Sequence, residues 1–586
     1  MTDIPADDLP ADDLSAESLR VLMAKAEAEA AKAPQPRDIA DDVARDDRKP
    51  DLGRDHVTRL EDASALLPND TDNGRRLIHW RGLELLFVRD VGWHVWTGRF
   101  WDPLGGAEAA HRMAQQAARW IAAESLVMRP SEAQQAAIDA GREARRVPEA
   151  ERDEDQTRAI EEGMKATAAW AKRRGKRRDF SVSCGNGARI SQMLTQAAPH
   201  LTVAVEAMDA DPHLVNVENG TLVFEPTEEL GSYDPEAWQR PIWLVRLKPH
   251  DRADKMAKIA PAAYDAAATC PRWQAFLNLC QPSKTMQRFL QVYYGYCLLG
   301  VIGAQKLVFH YGEGANGKST FIEALARLFG PYARLLNAES VTGTQSRGAG
   351  QATPDIAQLP GARLVRISEL PRGEPLREAL VKQLTGGEPM MARHNYGNFF
   401  EFRPAFKATM FGNDKPRIDG VDLGIWRRIA LVIWAQTIPE DQRREMEVVL
   451  GEFSAERSGI LNWLIQGALI YLNEGLIEPP EVKEATKAYR ADMDQVQGFI
   501  DACVTRLPDP VPPDDPVQLP SRMLYEAYET WCLANAMKPW SEKAFSQTMV
   551  KKGFVKVDGR IRHFLGIRLH DIPDRPEPRN PRRGDD

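Results

Sequence analysis

Apolar and polar positions divide this chain of 586 residues into stretches of different character. Residues 1 to about 65 are rich in Asp, Ala and Pro and hold no aromatic side chain. Such a segment cannot bury enough apolar surface to offset chain entropy, so an acidic disordered tail is expected. A short helix over Leu19–Lys32 is compatible with its Ala, Glu and Lys content. Order is expected from near Arg75. The stretch Gly92 to Trp101 alternates aromatic and small residues around a Thr-Gly turn and predicts a β-hairpin. Residues 105–200 have helical composition, and Asn219-Gly220 followed by apolar residues predicts a turn and a strand. A helical segment is expected from about Cys270 to Leu299. From Gln305 to Trp434 short apolar strands alternate with helices and Gly-rich turns, the pattern of an α/β domain. Leu507–Pro520, rich in Pro and Asp, reads as a linker, and a small compact unit follows at 521–570. No internal repeat is present. The resulting division is 1–65 tail, 66–268 N-terminal α+β domain, 269–304 helical collar, 305–485 α/β domain, 486–520 helix and linker, and 521–586 C-terminal domain and tail.

The sharpest chemical signal is Gly312-Glu313-Gly314-Ala315-Asn316-Gly317-Lys318-Ser319, followed by Thr320. An apolar strand candidate, Lys306–Tyr311, precedes it. Phe321, Ile322, Leu325, Leu328 and Phe329 then share one helical face. Strand, glycine loop and helix are in the order a phosphate-binding loop requires. Glycines let backbone N–H groups turn toward phosphates, and a helix N-terminus adds partial positive charge. Lys318 would reach the β and γ phosphates, and the Ser319 hydroxyl would ligate Mg²⁺. The expected cofactors are therefore ATP and Mg²⁺.

Three further stretches suit a nucleotide hydrolase. Arg363–Leu370 is a strand candidate with Glu369 at its end, where a carboxylate would polarise water or hold the metal. Phe406–Phe411 leads into Gly412-Asn413, and an amide at a strand tip can hold a phosphate or the attacking water. Read alone, both are also ordinary strand-end and turn chemistry. Arg427-Arg428 opens another strand candidate, and either arginine would suit a finger on a neighbouring subunit's nucleotide.

These stretches together resemble a superfamily 3 helicase of the phage/plasmid primase–helicase group related to the poxvirus primase–helicase. The matching residues are G-E-G-A-N-G-K-S-T-F, R-L-V-R-I-S-E-L, K-Q-L-T-G-G-E-P-M-M-A-R-H-N-Y, F-F-E-F-R-P-A-F-K, G-N-D-K-P-R-I and G-I-W-R-R-I, in the family's order. Asp209–Asn216 and Asn219–Leu222 resemble the domain before the motor, and Leu524–Cys532 with Gly553–Val557 resemble a C-terminal winged-helix-like unit. The resemblance implies an AAA+-like P-loop α/β motor at 305–485, a mixed N-terminal domain and a winged-helix-like C-terminal domain. It implies a replicative DNA helicase that acts as a homohexameric ring and moves 3′ to 5′ on single-stranded or forked DNA. On this resemblance Lys318 and Ser319 serve nucleotide and metal, Glu369 is the catalytic acid, Asn413 the sensor, and Arg427 or Arg428 the finger. Many such motors carry Asp before the catalytic Glu; here Ser368 stands there. The chain looks like the helicase half alone, which leaves a separate primase or polymerase as an expected partner.

Leu384–Phe402 has turn residues at both ends and reads as a projecting hairpin. Alone it would be a surface hairpin; within the resemblance it tracks DNA, with Arg393 and His394 on phosphates, Tyr396 stacking nearby and Lys382 just before it. Two other basic groups have a phosphate-binding reading and a bland one. The run Lys172–Arg178 reads otherwise as a solvated helix end and loop, and Lys543, Lys551 and Lys552 as solvated lysines.

The net charge of −8 argues weakly against a nucleic-acid partner, although a ring needs only local positive charge. Six cysteines without C-x-x-C spacing read as reduced, mostly buried thiols. The apolar stretch Phe289–Phe309 is broken by Gln291, Gln305 and Lys306 and is too short to span a bilayer. The expectation is a cytoplasmic protein of a bacterial host cell, without a membrane partner. Three rival functions remain. Asp209-Ala210-Asp211 could serve a two-metal primase–polymerase. The ATP site could instead regulate an origin-binding initiator, or belong to a scaffold without turnover.

Overall fold

The computed structural model describes residues 56–230, 241–343, 350–368, 374–395, 397–418, 423–507, 518–535 and 537–574. The helix expected over Leu19–Lys32, Glu369 and Tyr396 lie outside these residues.

The described residues form two compact units, the first comprising 56–88, 92–203 and 251–254. Its small sheet holds the expected hairpin: Gly92–Trp96 pairs with Trp101–Asp102, and Trp96 faces Trp101. The Thr97 hydroxyl accepts from the backbone N–H groups of Arg99 and Phe100 and fixes the turn. The strands Leu85–Val88 and Thr202–Val203 complete the sheet. Helices fill the region between, the longest being Glu154–Cys184, started by a capping box of Asp153 and Gln156. The basic run Lys172–Arg178 lies inside this helix, not at a helix end and loop. Three of its six cations are occupied internally: Arg173 donates to the Arg129 carbonyl, Arg174 to the Ser125 carbonyl, and Arg177 pairs with Glu124. Glu124, fully buried, also accepts from Arg76 at 2.8 Å. A buried carboxylate between two guanidiniums needs every one of these bonds, because an unpaired buried charge costs several kcal/mol, about 3–5 in typical proteins.

The single N-terminal domain expected over 66–268 is divided. Residues 204–230, 241–250 and 255–268 belong to the second unit. The reason is packing: Leu214, Val215, Val217, Leu222 and Phe224, on the strands Leu214–Val217 and Gly220–Leu230, share a core with Trp273, Leu290, Phe321 and Leu325.

The second unit is built on five parallel strands, labelled here β1 (Leu307–Tyr311), β2 (Ala333–Asn337), β3 (Leu364–Ser368), β4 (Lys407–Gly412) and β5 (Ile429–Ile433). Their order is 5-1-4-3-2. Strands β1, β4 and β5 are almost continuously buried, which is why they read as apolar runs and not as alternating patterns. Edge strand β2 exposes Leu335 and Asn337. One face packs against helices at 271–280, 284–298, 318–329 and 457–474; the other against 378–386 and 480–492.

The helix expected from Cys270 to Leu299 is two helices, Pro271–Cys280 and Lys284–Leu298. Pro282 cannot donate to a continuous helix, and Ser283 caps the second one by accepting from the Met286 N–H. That second helix crosses Arg457–Glu474 at glycines on both sides. A methyl group on Gly295 would collide with the backbone at Gly467–Ala468, and one on Gly467 with the backbone of Gln291.

The C-terminal body begins earlier than the expected boundary at 521. Val496, Phe499 and Cys503, on a helix at Gln495–Cys503 within the segment expected as helix and linker, share its core with Leu524, Tyr528, Phe545 and Phe564. All six cysteines are unpaired, and five are buried. Among the described residues no helix is long and apolar enough to cross a membrane.

Candidate functional site

Parallel strands place all their carboxyl ends along one edge of a sheet, where open α/β folds bind ligands. The loop 312–317 leaves β1 at that edge and enters the helix Lys318–Phe329. Its shape depends on residues that tolerate left-handed backbone: φ is +113° at Gly314, +46° at Ala315 and +79° at Gly317. Gly317 is also crowded, since a methyl group there would strike Cys280 Sγ and the Phe276 ring. Gly317 offers no side-chain cap to the helix, which leaves N-terminal N–H groups for an anion.

The loop is tied down from outside. Asn316, buried, donates through Nδ2 to the Trp434 carbonyl (3.2 Å) and accepts at Oδ1 from the Lys318 N–H (3.3 Å). The Ala315 carbonyl accepts from Ile438 N–H at 2.8 Å. The chain leaving β5 thus braces the loop made by β1. Lys318 Nζ donates to the carbonyls of Gly312 and Gly412, both at 2.9 Å, and to Asn413 Oδ1 at 2.7 Å. Burial lowers its pKa below the ordinary lysine value. Ser319, next to it, is exposed, as are Glu313 and Asn413, while Thr320 is half-buried. The loop therefore suits a polyphosphate: a flexible cation, free helix N–H groups and an exposed hydroxyl converge. Lys318, Ser319 and Glu369 are the residues that would hold nucleotide and Mg²⁺. β3, which leads to Glu369, ends at Ser368 beside Phe411 of β4.

Beneath the loop runs a buried polar chain that the sequence reading missed. Trp434 Nε1, which can only donate, bonds His310 Nδ1 at 2.8 Å. The His310 hydrogen is therefore on Nε2 and goes to Tyr294 Oη at 2.8 Å. Tyr294 Oη then donates to Thr409 Oγ1 at 3.0 Å, and Thr409 to the Val308 carbonyl at 3.2 Å. Burial, then the Lys318 charge, depress the His310 pKa to about 3. The sequence signal was a histidine inside an otherwise apolar strand.

Arg427 and Arg428 are not near the phosphate loop of their own chain. Both precede β5, and the Arg428 carbonyl accepts from Leu307 N–H at the start of β1. The loop lies a strand length away, roughly 16 Å at about 3.3 Å per residue. Arg428 is held by Thr385 Oγ1 and the Gly424 carbonyl. Arg427 is exposed and donates to the Gln305 side chain at 3.2 Å.

The hairpin forms, with Met390–Arg393 paired to Phe399–Phe402. Met390, Ala392, Phe400 and Phe402 anchor its inner face. Arg393 lies over the Phe399 ring at 5.1 Å, and His394 stacks on Phe400 at 5.6 Å. Lys382 is half-buried on the helix Glu378–Gly386. The acidic pair weighed for a two-metal site is used internally. The Asp209 carboxylate is buried, accepts from Ala257 N–H and meets Lys258, while Asp211 Oδ1 accepts from His213 N–H. Among the described residues no group of three or more His, Cys, Asp or Glu side chains suits a metal.

Residues 74–282 match the family model described as D5 N terminal like, and residues 310–428 a family of unknown function, DUF5906. A protein of Acanthamoeba polyphaga mimivirus named "Putative helicase L207/L206" is 27% identical over 247 residues, 40% of this chain and 26% of that protein. "Primase D5" of Fowlpox virus is 35% identical over 142 residues, 23% of this chain and 17% of its own length. The chain thus spans about a quarter or less of these relatives. Among solved structures, the apo C-terminal region of NrS-1 is similar at 12% identity with a TM-score of 0.31, covering 53% of this chain and 80% of that one.

Proposed function

We propose that this chain, which belongs to the D5-like primase–helicase family, is an ATP-driven replicative DNA helicase. The observation that carries the reading is the junction of Lys318 with Asn413. The phosphate-loop cation, which follows β1 at the start of the helix, and the amide at the tip of the adjacent strand β4 meet over the carboxyl edge of the sheet. A nucleotide whose terminal phosphate displaced Asn413 from Lys318 would release that amide to report hydrolysis. Mg²⁺, held through Ser319 and Glu369, would neutralise charge developing on the transferred phosphate. The 5-1-4-3-2 strand order, with the loop following the inner strand β1, supports the AAA+-like reading.

The distance of Arg427 from its own loop supports action in trans. An exposed arginine roughly a strand length away serves no phosphate of the same chain, but in a ring of copies it would face a neighbour's. Arg427 is the better finger, because it is exposed and held at its tip by Gln305, whereas Arg428 is half-buried and bonded to both Thr385 and the Gly424 carbonyl. A homohexameric ring that moves 3′ to 5′, with a separate primase or polymerase, completes the proposal. On the hairpin, Arg393 and His394 would meet DNA phosphates, with Lys382 and Tyr396 nearby. A bacterial host cell is proposed on composition alone, and the two relatives described belong to eukaryotic viruses.

The test is unwinding of forked DNA carrying a labelled strand, with ATP and Mg²⁺, by the intact protein and Lys318→Ala. Strand release by the intact protein only is expected. ATP hydrolysis without strand release by the intact protein would favour the initiator reading.

A further inference from the structure

The strand tip that carries Asn413 holds a second cation two residues on. Lys415 follows Asn413 and Asp414 in the turn after β4 and precedes Pro416. Asn413 and Asp414 are both exposed, so the tip has little packing of its own. Lys415, by contrast, keeps only 25% of its side chain exposed. Its ammonium lies 5.1 Å from the centre of the Tyr311 ring and 5.3 Å from that of Tyr489. Asp492 Oδ2 is 3.4 Å away. Two rings and a carboxylate thus surround one cation, and each of the three attracts it.

The walls of this cage are fixed parts of the fold. Tyr311 ends β1, immediately before the phosphate loop, and pairs with Gly412 across the sheet. Tyr489 and Asp492 belong to the helix Pro480–Asp492, packed on the sheet face away from the loop helix. Tyr489 is fully buried, 6.4 Å from the Phe309 ring of β1 and edge-to-face with Trp426 at 5.2 Å. Its hydroxyl donates to the Pro416 carbonyl, one residue beyond Lys415. Thr486 Oγ1 accepts from Leu431 N–H at 3.0 Å and ties the helix to β5. Lys415 therefore joins the tip of β4 to the end of β1 and to a helix that is itself bonded to β5.

An ordinary surface ion pair is the plain account of Lys415. Asp492 is 59% exposed, and such a pair contributes little by itself. The rings change the argument, because a cation set between two aromatic faces is placed as well as neutralised. Placement matters at this tip. Asn413 Oδ1 meets Lys318 Nζ at 2.7 Å, so an incoming phosphate would take Lys318 and leave the amide without that bond. An amide misplaced by about 1 Å can cost about 10²-fold in rate. We infer, resting on the ATPase reading above, that Lys415 is a positioning residue for hydrolysis: caged between Tyr311 and Tyr489, it holds the Asn413 amide in place beside the phosphate loop. In this role it touches neither nucleotide nor metal and acts through Asn413.

The test is steady-state ATP hydrolysis by the full chain with Mg²⁺ over a range of ATP, with ATP affinity measured separately by calorimetry. Lys415→Met keeps the stem and removes the charge. Its kcat is expected to fall at least about tenfold, with ATP affinity within about threefold of the parent. Lys415→Arg, which keeps a cation for the rings, is expected to retain at least about half of the parent's kcat. Asp492→Asn removes one exposed charge without emptying a core position and should lower kcat about threefold. It carries the same test if Lys415→Met fails to fold. Unchanged kcat in Lys415→Met, or in Asp492→Asn where the first variant does not fold, overturns the inference. So does a loss of ATP affinity as large as the loss in kcat/KM, which would place Lys415 in nucleotide binding. A Lys415→Arg variant as slow as Lys415→Met overturns it too. A parent that binds ATP without hydrolysing it overturns the ATPase reading instead, and this inference with it.

Discussion

The buried chain under the phosphate loop makes a pH prediction that can be worked through. His310 is fully buried, and its folded pKa of about 3 lies below the ordinary value of 6.5. The neutral ring is therefore the native form, while the unfolded chain takes up a proton as pH falls through 6.5. Stability from this group is present above that value and is lost progressively down to the folded pKa. Between pH 7 and pH 5 the single histidine should remove about 2 kcal/mol. The perturbation is His310→Gln, which keeps a polar side chain but has no charge to gain. It leaves Trp434 Nε1 and Tyr294 Oη with poorer partners, so a loss of about 1–3 kcal/mol at pH 7 is expected. The assay is urea-dependent hydrogen exchange of the peptide spanning β1 and the loop, read by mass spectrometry and corrected for intrinsic exchange at each pH. The parent should lose stability between pH 7 and pH 5, and the variant should lose about 2 kcal/mol less over that interval. An identical pH response in both proteins would refute the reasoning, because the neutral ring would then not be what the fold requires.

Other outcomes follow from single contacts. Gly317→Ala forces a side chain onto a backbone at φ +79° and against Cys280, so nucleotide binding measured by calorimetry should be lost, with about 1–3 kcal/mol of stability. Asn413→Asp places a carboxylate on Lys318 and should weaken ATP binding, whereas Asn413→Ala should preserve binding and lose hydrolysis, as binding and turnover assays would separate. Arg427→Ala should lower ATP hydrolysis by roughly 10³-fold or more with ATP affinity unchanged, and Lys318→Ala chains mixed with it should restore some turnover. Glu124→Gln should destabilise the first unit by about 3–5 kcal/mol in thermal unfolding, since two buried guanidiniums lose their carboxylate.

Much of the α/β domain was legible because it is local. The loop motif, the apolar strand before it and the helical face after it lie within a short span, and the hairpins announce themselves by turn residues. What was not legible depends on distant residues meeting. Nothing in the spacing of Tyr294, His310, Thr409 and Trp434 shows that four strands and helices bring them into one chain of bonds. The 66–268 domain was misjudged for the same reason. Leu214 to Phe224 read as an independent strand region, but their apolar face is completed only by helices more than fifty residues later. The break at Pro282 is a local signal, a proline followed by the capping residue Ser283.

The same distinction decides what positive charge means here. The sequence offered the run Lys172–Arg178 as the densest basic cluster, yet Arg174 and Arg177 spend their donors inside the first unit. Lys407 is buried over the Tyr296 ring and bonded to the Leu299 carbonyl, and burial depresses its pKa strongly. Lys552 and Lys556 are likewise committed. A cation held by its own fold must give up those bonds before it meets a phosphate, so local density along the chain overstates that run as a DNA contact. It understates the C-terminal body, where exposed cations such as Lys543, Lys551, Arg560 and Arg562 come from a helix and a loop and form no run. A net charge of −8 is therefore no obstacle to gripping nucleic acid: the relevant quantity is how many cations the fold leaves facing outward together.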